Sequence, residues 1–336
     1  MTKVAIVILN WNGKQHLEKF LPFVLGNNMQ GTEIYVADNA STDNSIAFVK
    51  ENYPEIKIIQ NSTNEGFAKG YNDALKHVNA QYYILLNSDV EVTPNWIKPI
   101  IDLMDGDEKI AACQPKIKSF TNKEYFEHAG AAGGFIDSFG YAFCRGRIFD
   151  TTEKDIGQYE DIREIFWATG ACMFIRAKCF INAGGFDADF FAHMEEIDLC
   201  WRLKNQGYKI YYTPYSTVYH LGGGTLDYKS PRKTFLNFRN SLYMLYKNLS
   251  SFKLIPLLCF RLVLDGIAGL KFLFEGKFSH FLAVIKAHLS FYANVKKLRK
   301  KRMKEFKNQD FQGFYKGSII VDYYLKQKKK FSEIYK

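Results

Sequence analysis

Residues 82–89 read Tyr-Tyr-Ile-Leu-Leu-Asn-Ser-Asp, a run of apolar side chains that ends in a short polar turn. The apolar run predicts a buried strand at residues 82–87, and the turn closes on the carboxylate of Asp89. In open α/β sheets, ligands bind just beyond the carboxyl ends of the strands. A carboxylate at that position is well placed to hold a divalent cation against a phosphate. Asp89 is therefore the first candidate for a functional side chain.

Strand and helix patterns alternate around this segment. Strands are predicted at residues 4–9, 34–37, 56–60 and 82–87, with helices at 14–26, 43–52 and 68–78 between them. Such alternation predicts an α/β fold with a mostly parallel, doubly wound central sheet. Further along, the patterns predict strands at 111–117, 170–175, 209–212 and 217–219 and a helix at 195–205. Residues 119–165 show little periodicity and are predicted to form a long loop.

Positive charge is concentrated at the C-terminal end of the 336-residue chain. Residues 1–228 carry 21 Lys and Arg against 29 Asp and Glu, a net charge of −8. Residues 229–336 carry 24 against 6, a net charge of +18. We therefore predict an acidic globular domain at 1–228 and a basic helical region at 229–336. A basic region indicates an anionic partner, either a membrane surface or a nucleic acid.

Two features indicate a cytoplasmic protein. The six cysteines form no CxxC pair, which predicts reduced and mostly buried thiols. The N-terminus leads directly into a strand pattern, so we expect no signal peptide.

The C-terminal region contains an apolar stretch, residues 252–275, that Arg261, Asp265 and Lys271 interrupt. No clean apolar span of about 20 residues remains, so an interfacial helix is expected, apolar on one side and basic on the other. Residues 296–302 add a polybasic run. We predict peripheral attachment to an anionic membrane at the inner face of the cell membrane. The alternative is a solvated helix that packs on the first domain.

Polar motifs follow several predicted strands, and each has a structural alternative. Asp38, in Asp-Asn-Ala-Ser-Thr-Asp (38–43), can accept a hydrogen bond from a ring N–H of a pyrimidine base, or can simply form a turn and helix cap. Gly66, in the loop at 64–72, permits close backbone approach before a helix N-terminus that attracts anions. It can equally belong to an ordinary glycine loop.

Asn87, Ser88 and Asp89 form a polar turn whose oxygen atoms would suit Mg²⁺ or Mn²⁺. His220 follows the last predicted strand and precedes three glycines. A lone histidine is usually structural, but a neutral imidazole at this position can complete a metal site shared with Asp89.

Three carboxylates, those of Glu195, Glu196 and Asp198, lie within four residues at a predicted helix start. Acidic residues favour helix N-termini through the dipole, which is the structural alternative. Asp198 and Arg202 form an i,i+4 pair, whereas Glu196 points elsewhere. A carboxylate without such a partner is the better candidate for accepting a proton.

Taken in order, these motifs resemble those of family 2 glycosyltransferases, and most closely the bacterial rhamnosyltransferase-like branch. The matching segments are 38–43, 64–68, 87–89, 170–171, 195–202 and His220, spread over roughly residues 3–225. The resemblance implies a GT-A-type nucleotide-sugar-binding domain that precedes the basic helical region. It also implies an inverting transfer from a UDP- or dTDP-linked sugar to a glycan or polyprenyl-linked acceptor, in cell-surface polysaccharide assembly.

The resemblance also implies roles for individual residues. Glu196 would be the catalytic base, with Glu195 close enough to be confused with it, and Asp89 and His220 would bind Mg²⁺ or Mn²⁺. The nucleotide sugar would contact Asn10, Asn12, Asp38, Asn39, Gly66, Asn72, Asn87 and Ser88. The acceptor side would contain Trp167, Gly170 and Ala171. The chain departs from the family at Asn87 and Glu196, where aspartate is usual. The neutral Asn87 would either weaken metal binding or leave metal contact to Asp89 and His220.

Two other functions compete with this interpretation. A sugar nucleotidyltransferase would need a glycine-rich loop with Lys or Arg after the first strand, which residues 10–13 (Asn-Trp-Asn-Gly) do not supply. A nucleic-acid-binding protein would use the basic region, but the acidic first domain and the lack of an RNA-type aromatic motif argue against it. We therefore expect no nucleic-acid partner.

Overall fold

The computed structural model of the chain describes residues 2–222, 230–303 and 310–335. Strands and helices alternate through the first 119 residues, close to the predicted positions. They are β1 (Thr2–Asn10), α1 (Lys14–Gly26), β2 (Thr32–Asp38), α2 (Ser45–Asn52), β3 (Lys57–Gln60), α3 (Phe67–Leu75), β4 (Ala80–Asn87), β5 (Val90–Val92), α4 (Lys98–Gly106) and β6 (Ile110–Ser119).

The long loop predicted at residues 119–165 instead contains five short strands. They are β7 (Gly134–Asp137), β8 (Ala142–Cys144), β9 (Arg147–Ile148), β10 (Thr151–Thr152) and β11 (Arg163–Ile165). Strands of two to four residues are too short to produce a two-residue periodicity in the sequence, so the prediction missed them.

The next elements are β12 (Cys172–Arg176), α5 (Ala177–Asn182), α6 (Glu195–Asn205) and β13 (Lys209–His220). Helix α6 has the predicted bounds. The two strands predicted at 209–212 and 217–219 are one strand, β13, whose pairing with β6 shifts register between Thr213 and Thr217. This irregularity interrupts the alternating pattern and explains why one strand was predicted as two.

The main sheet has the strand order β11-β13-β6-β12-β4-β1-β2-β3, with β5 paired to β13. Strands β3, β2, β1 and β4 are parallel, whereas β12 runs antiparallel to both β4 and β6. The predicted α/β fold is confirmed, as a mixed sheet with a parallel half.

Register in this sheet brings several candidate residues to one edge. Asn10 pairs with Asp38 across β1 and β2, and Asn87 pairs with the neighbour of Asn10 across β1 and β4. His220 pairs with Val90, the residue that follows Asp89. The carboxyl ends of these strands therefore form a single polar edge.

Successive side chains of β1 point to opposite faces of the sheet, and an apolar layer covers each face. Val4, Ile6 and Ile8 pack with helices α1, α2 and α4, whereas Ala5 and Val7 face the layer that contains α3, α5 and α6. Because both faces are covered, β1 reads as a continuous apolar run. All six cysteines are free thiols, and five of them are buried, as predicted.

The C-terminal region contains three helices, α7 (Pro231–Asn248), α8 (Ser251–Phe274) and α9 (Phe278–Lys301), and one short strand, β14 (Phe314–Tyr315). Strand β14 pairs with β7 and completes a second sheet of order β10-β9-β8-β7-β14. The end of the chain thus packs on the first part. The domain division at 228 lies outside the described residues and stays a prediction. Within residues 2–222, 230–303 and 310–335, no helix is both long and apolar enough to cross a bilayer.

Candidate active site

Asp38 lies at the end of β2 and is almost fully buried. Its Oδ1 accepts a hydrogen bond from Nδ2 of Asn10 at 3.1 Å, and its Oδ2 accepts one from the backbone N–H of Ser41 at 3.0 Å. Oδ1 of Asn10 is buried and has no hydrogen-bond donor among the described residues. The two side chains therefore form a fixed polar pair that offers one unused acceptor.

Asn12 connects the turn after β1 to the 41–43 loop. Its Oδ1 accepts a hydrogen bond from the backbone N–H of Thr42 at 2.7 Å, and its own N–H donates to Oγ of Ser41 at 2.8 Å. Asn12 has a φ of 49°, a left-handed conformation that asparagine tolerates better than most residues. These contacts fix the shape of the loop beside Asp38.

Asn39 and Gly66 join the second strand end to the N-terminus of α3. Nδ2 of Asn39 donates to Oδ1 of Asn64 at 2.8 Å and to the carbonyl of Gly66 at 3.2 Å. Gly66 has a φ of 92°, and a Cβ atom there would lie 2.4 Å from the carbonyl oxygen of Phe191. Glycine is required because the 66 and 191 backbones touch.

The amide of Asn72 is fully occupied by backbone groups of one residue. Its Nδ2 donates to the carbonyl of Phe186 at 2.7 Å, and its Oδ1 accepts from the N–H of Phe186 at 3.0 Å. This pair of bonds joins α3 to the turn at 184–186.

Asp89 and His220 lie side by side at the polar edge. Oδ1 of Asp89 lies 3.2 Å from Nε2 of His220, and Oε2 of Glu127 lies 3.4 Å from Nδ1 of the same ring. All three side chains are buried. Burial alone would lower the pKa of His220, but the two carboxylates raise it to about 10. Burial raises the pKa of Asp89, but His220 more than offsets this and the net shift is downward.

This pair would fit a divalent cation if the cation replaced the proton that the raised pKa keeps on Nε2 of His220 at neutral pH, with substrate phosphates as further ligands. Two neighbouring ligands on an octahedral ion with bonds of about 2.1 Å lie about 3 Å apart, close to the observed separation of the Asp89 and His220 atoms. The carboxylate of Glu127 at the other ring nitrogen is the usual support of a metal-binding histidine. The amide of Asn87 lies 3.4 Å from Nε2 of His220. Ser88 is half-buried between Asn87 and Asp89. Among the described residues, no group of three or more His, Cys, Asp or Glu side chains is arranged as a complete metal site.

Glu195 and Glu196 begin helix α6 and differ in exposure. Glu195 is buried, whereas Glu196 is half-buried, and Oε2 of each lacks a hydrogen-bond partner among the described residues. Asp198, by contrast, is bound by Arg202 at 2.8 Å and by Lys247 at 2.9 Å. The predicted structural pairing of Asp198 with Arg202 is thus present in the structure.

Burial raises the pKa of both glutamates but to different extents. Burial raises the pKa of Glu196 to about 7, although the N–H groups at the helix start oppose the shift. Burial and the like charge of Glu196 raise the pKa of Glu195 well above its ordinary value. Burial and the neighbouring charge thus favour the protonated form of Glu195, and the more exposed Glu196 is the better candidate for accepting a proton.

The loop before α6 has an unusual backbone. Phe191, His193 and Met194 have φ values of 65°, 70° and 71°, in the left-handed region that side chains disfavour. Each such residue costs on the order of 1 kcal/mol or more, so surrounding contacts must hold the loop in place. Strain of this kind is concentrated at functional sites.

The three predicted acceptor-side residues lie in different surroundings. Trp167 is buried, and its Nε1 donates to the carbonyl of Phe135 at 2.9 Å, so its ring contributes to packing. The carbonyl of Ala171 accepts from the N–H of Asn87 at 3.0 Å. A Cβ atom at Gly170 would lie 3.0 Å from the ring of Phe67. Ala171 thus lies next to Asn87, and Gly170 lies next to Phe67.

These contacts join the two halves of the candidate site. Asn87 contacts Ala171, the adjacent Gly170 contacts Phe67 of α3, and Gly66 contacts Phe191, which leads into α6. The segments that carry Asp89 and Glu196 are therefore linked through a short chain of touching residues. The sequence interpretation missed Glu127, because it lies in the segment without periodicity and no motif marks it.

A family model for glycosyl transferase family 2 matches residues 5–181, more than half of the chain. The chain belongs to this family. The resemblance drawn from the ordered motifs is thereby confirmed, and glycosyl transfer is favoured over nucleotidyl transfer and nucleic-acid binding.

Individual relatives and solved structures agree with this assignment. The N-acetylglucosaminyl-diphospho-decaprenol L-rhamnosyltransferase of Mycobacterium tuberculosis is 24% identical over 235 residues, which cover 66% of this chain and 76% of the relative. The fold is similar to that of GalNAc-T7, solved with UDP, GalNAc and Mn²⁺ (TM-score 0.58, 18% identity, 74% of this chain and 48% of that one). It is also similar to that of the mannosyltransferase PcManGT of Pyrobaculum calidifontis, solved with GDP-Man and Mn²⁺ (TM-score 0.53, 12% identity, 89% of this chain and 78% of that one).

Proposed function

We propose that this glycosyltransferase is inverting and metal-dependent. It transfers a hexosyl or deoxyhexosyl unit from a UDP- or dTDP-linked donor to a glycan or polyprenyl-linked hydroxyl, in cell-surface polysaccharide assembly. The observation that carries this proposal is the half-buried Glu196 at the start of α6, whose Oε2 has no hydrogen-bond partner among the described residues. The relative named for a decaprenol-linked acceptor supports the choice of acceptor, and GalNAc-T7, solved with UDP, supports a uridine nucleotide as the donor.

The donor nucleotide lies, in this proposal, along the ends of β1, β2 and β4. The carboxylate of Asp38 accepts the ring N–H of uracil or thymine, and the unused Oδ1 of Asn10 accepts a second donor group. Asn12, Asn39 and Gly66 shape the walls of this cleft, and Asn72 holds α3 in place behind it.

Asp89 and His220 would hold Mg²⁺ or Mn²⁺ against the diphosphate, with Asn87 and Ser88 beside them. The bound cation would supply Lewis-acid stabilisation of the negative charge that grows on the leaving diphosphate. The Mn²⁺ ions in the two similar solved structures support this assignment. Glu127 would orient the His220 ring, because its carboxylate lies at Nδ1 while Nε2 faces Asp89.

Glu196 removes the proton from the acceptor hydroxyl as the acceptor oxygen attacks C1 of the donor sugar. The new C1–O bond forms while the bond from C1 to the phosphate oxygen breaks, and the diphosphate departs with the electron pair. General-base assistance of this kind contributes about 10²- to 10⁴-fold in rate. A single displacement inverts the anomeric centre and forms no covalent sugar–enzyme species.

The acceptor, in this proposal, is lipid-linked, and helix α8 supplies the attachment to the membrane. The side of α8 that faces the protein carries two charges, because Arg261 and Asp265 are buried there together with Leu254. Arg261 donates to Oγ of Ser241 at 2.9 Å, and Asp265 accepts from Tyr141 at 3.2 Å. Of the three charges predicted to interrupt an apolar helix, Arg261 and Asp265 thus point inward, whereas Lys271 is exposed.

The outward side of α8 is apolar. Phe252 is 91% exposed, Phe274 is 87% exposed and Ile267 is 58% exposed. Exposed apolar residues continue along the helix at Ile255, Phe260, Leu262, Val263, Leu270 and Leu273. A soluble helix normally has the opposite arrangement, and an outward apolar face of this length is expected where a helix lies in a bilayer interface.

Exposed basic residues accompany this face and support an anionic bilayer as its partner. Lys253 and Lys271 lie on α8, and Lys286 lies on α9. The polybasic run at 296–302 is only partly available, because Lys297 pairs with Asp189 at 2.6 Å and Lys301 pairs with the same carboxylate at 2.7 Å. Lys296, Arg299 and Lys300 remain exposed. We place the enzyme at the inner face of the cell membrane, in peripheral contact.

A nucleotide-release screen tests this function most broadly. The enzyme is incubated with a panel of UDP- and dTDP-sugars, with and without Mn²⁺ and a polyprenyl-linked acceptor, and the product anomer is determined by NMR. We expect acceptor-dependent nucleotide release and a product whose anomeric configuration is opposite to that of the donor. A retained configuration would overturn the inverting mechanism.

A further inference from the structure

The loop that leads into α6 is held by donors from a distant helix. Arg239 of α7 donates to the carbonyl of Asp189 at 2.8 Å and to that of Phe190 at 3.2 Å. Asn240, the next residue of α7, donates from Nδ2 to the carbonyls of Phe190 at 2.9 Å, Ala192 at 2.9 Å and His193 at 2.8 Å. One side-chain nitrogen therefore binds three carbonyls of the same loop.

The remaining carbonyl of this loop is also bound. The carbonyl of Phe191 accepts from the backbone N–H of Ala68, in the first turn of α3, at 3.2 Å. All five carbonyls from residue 189 to residue 193 thus have a donor from another segment of the chain. These bonds keep the loop, which contains the end of a short 3₁₀ helix (Ala188–Phe190) and three left-handed residues, in one conformation.

The orientation of the Asn240 amide is fixed by its neighbour. Oδ1 of Asn240 accepts from Nε of Arg239 at 2.9 Å and from Nη2 at 2.8 Å. Because a guanidinium group only donates, the amide oxygen must face it and the amide nitrogen must face the carbonyls. Asn240 is fully buried, so no water replaces these bonds if the side chain is changed.

We propose that Asn240, supported by Arg239, is a positioning residue for the catalytic base. It acts by fixing the 189–194 loop and therefore the direction in which Glu196 leaves the start of α6. This inference rests on the proposed role of Glu196. Two residues of α7, in the basic C-terminal region, would thus support the catalytic base, and the same helix is followed by α8, which is proposed to contact the membrane.

Asn240→Leu tests the inference, because leucine has a similar volume and no donor. We expect kcat for nucleotide release with acceptor to fall by about 10²-fold, as a displaced catalytic group would cause, while KM for the donor changes by less than about threefold. We also expect the ascending limb of the plot of kcat/KM against pH, which lies near pH 7 in the wild type, to move to another pH, because the surroundings of the Glu196 carboxyl group change.

Asn248→Leu is the matched control. Asn248 is also fully buried on α7, but its Nδ2 donates to Oδ1 of Asp198 and to the carbonyl of Met244, away from the loop. We expect this variant to lose thermal stability. Its kcat should stay within about threefold of the wild-type value, and its kcat/KM should depend on pH as in the wild type. If Asn240→Leu does not fold, Arg239→Met, at a half-buried position, is measured in its place.

Glu196→Gln in the same assay separates the two proposals. If Glu196→Gln keeps wild-type kcat, the proposed function of Glu196 fails. If Glu196→Gln loses transfer but Asn240→Leu or Arg239→Met keeps wild-type kcat and pH limb, only the positioning inference fails. Equal losses of kcat in Asn240→Leu and Asn248→Leu would also overturn it, because they would show a general effect of stability.

Discussion

Nε2 of His220, at the end of β13, lies 3.2 Å from Oδ1 of Asp89, which follows β4. The two atoms are close because β13 pairs with β5, and this pairing places His220 opposite Val90. A histidine and a carboxylate at this separation, with Glu127 behind the ring, form the half-site that a diphosphate-bound cation would complete.

The first prediction concerns this half-site. Asp89→Asn and His220→Gln are each expected to lower transfer by at least about 10²-fold, because stabilisation of the leaving diphosphate is lost. Glu127→Gln is expected to weaken Mn²⁺ binding by about 10- to 100-fold, because it supports the His220 ring. Initial rates of nucleotide release measure the first effect, and calorimetric titration with Mn²⁺ in the presence of UDP or dTDP measures the second. Full activity in excess EDTA would remove the cation from the mechanism.

The second prediction concerns pH. The value of kcat/KM is expected to rise with pH and to level off above about pH 7, because only the deprotonated form of Glu196 accepts the acceptor proton. Initial rates between pH 5.5 and 9 measure this limb. Glu195→Gln should keep an ascending limb, whereas the residual rate of Glu196→Gln should lack it. A wild-type rate that is flat below pH 8 would contradict the assignment.

The third prediction concerns stability. The pKa of Glu196 is about 7 in the folded protein, above its ordinary value of 4.5, so the folded state loses stability as pH rises through this interval. Glu196→Gln should therefore raise the free energy of unfolding by about 1–3 kcal/mol at pH 8 and have little effect at pH 4.5. Urea unfolding at the two pH values measures the difference. Glu108→Gln, at an exposed position, serves as the control and should show no such difference.

The fourth prediction concerns the outward face of α8. Ile267→Asp is expected to reduce flotation with anionic vesicles by about tenfold or more, because a charge replaces an apolar side chain at the interface. Ile181→Asp is the matched control, since Ile181 is 63% exposed on α5 and lies far from α8 in the sequence. Equal flotation of both variants would argue against attachment through α8. Dimerisation that Ile267→Asp abolishes, without vesicle binding, would assign the face to a second copy of the chain.

Much of the fold was predictable because its strands are long and apolar. The strands around Asn10, Asp38 and Asn87 are buried on both faces and end in polar turns, so their pattern was visible in the sequence. The strands between residues 134 and 152 were not, because each is too short to show a period. Their pairing with β14 depends on contacts between distant segments, which no local pattern records.

In the candidate site, too, some residues are marked by local sequence patterns and others only by contacts between distant segments. Asp89, Glu196 and His220 could be chosen as candidates because each follows a strand or begins a helix in an ordered series of motifs. The motif could not distinguish Glu195 from Glu196, because their difference in burial arises from tertiary packing. Glu127 and Asn240 contact residues far away in the sequence, so the roles proposed for them could be inferred only from the structure.

The most direct test of the central claim compares Glu196→Gln with Glu195→Gln in acceptor-dependent nucleotide release. We predict that Glu196→Gln lowers kcat by about 10²- to 10⁴-fold with little change in donor binding, whereas Glu195→Gln, which replaces a buried carboxyl group whose pKa is raised well above its ordinary value, retains most of its activity. Near wild-type transfer by Glu196→Gln, together with loss of transfer in Glu195→Gln, would contradict the assignment of Glu196 as the base.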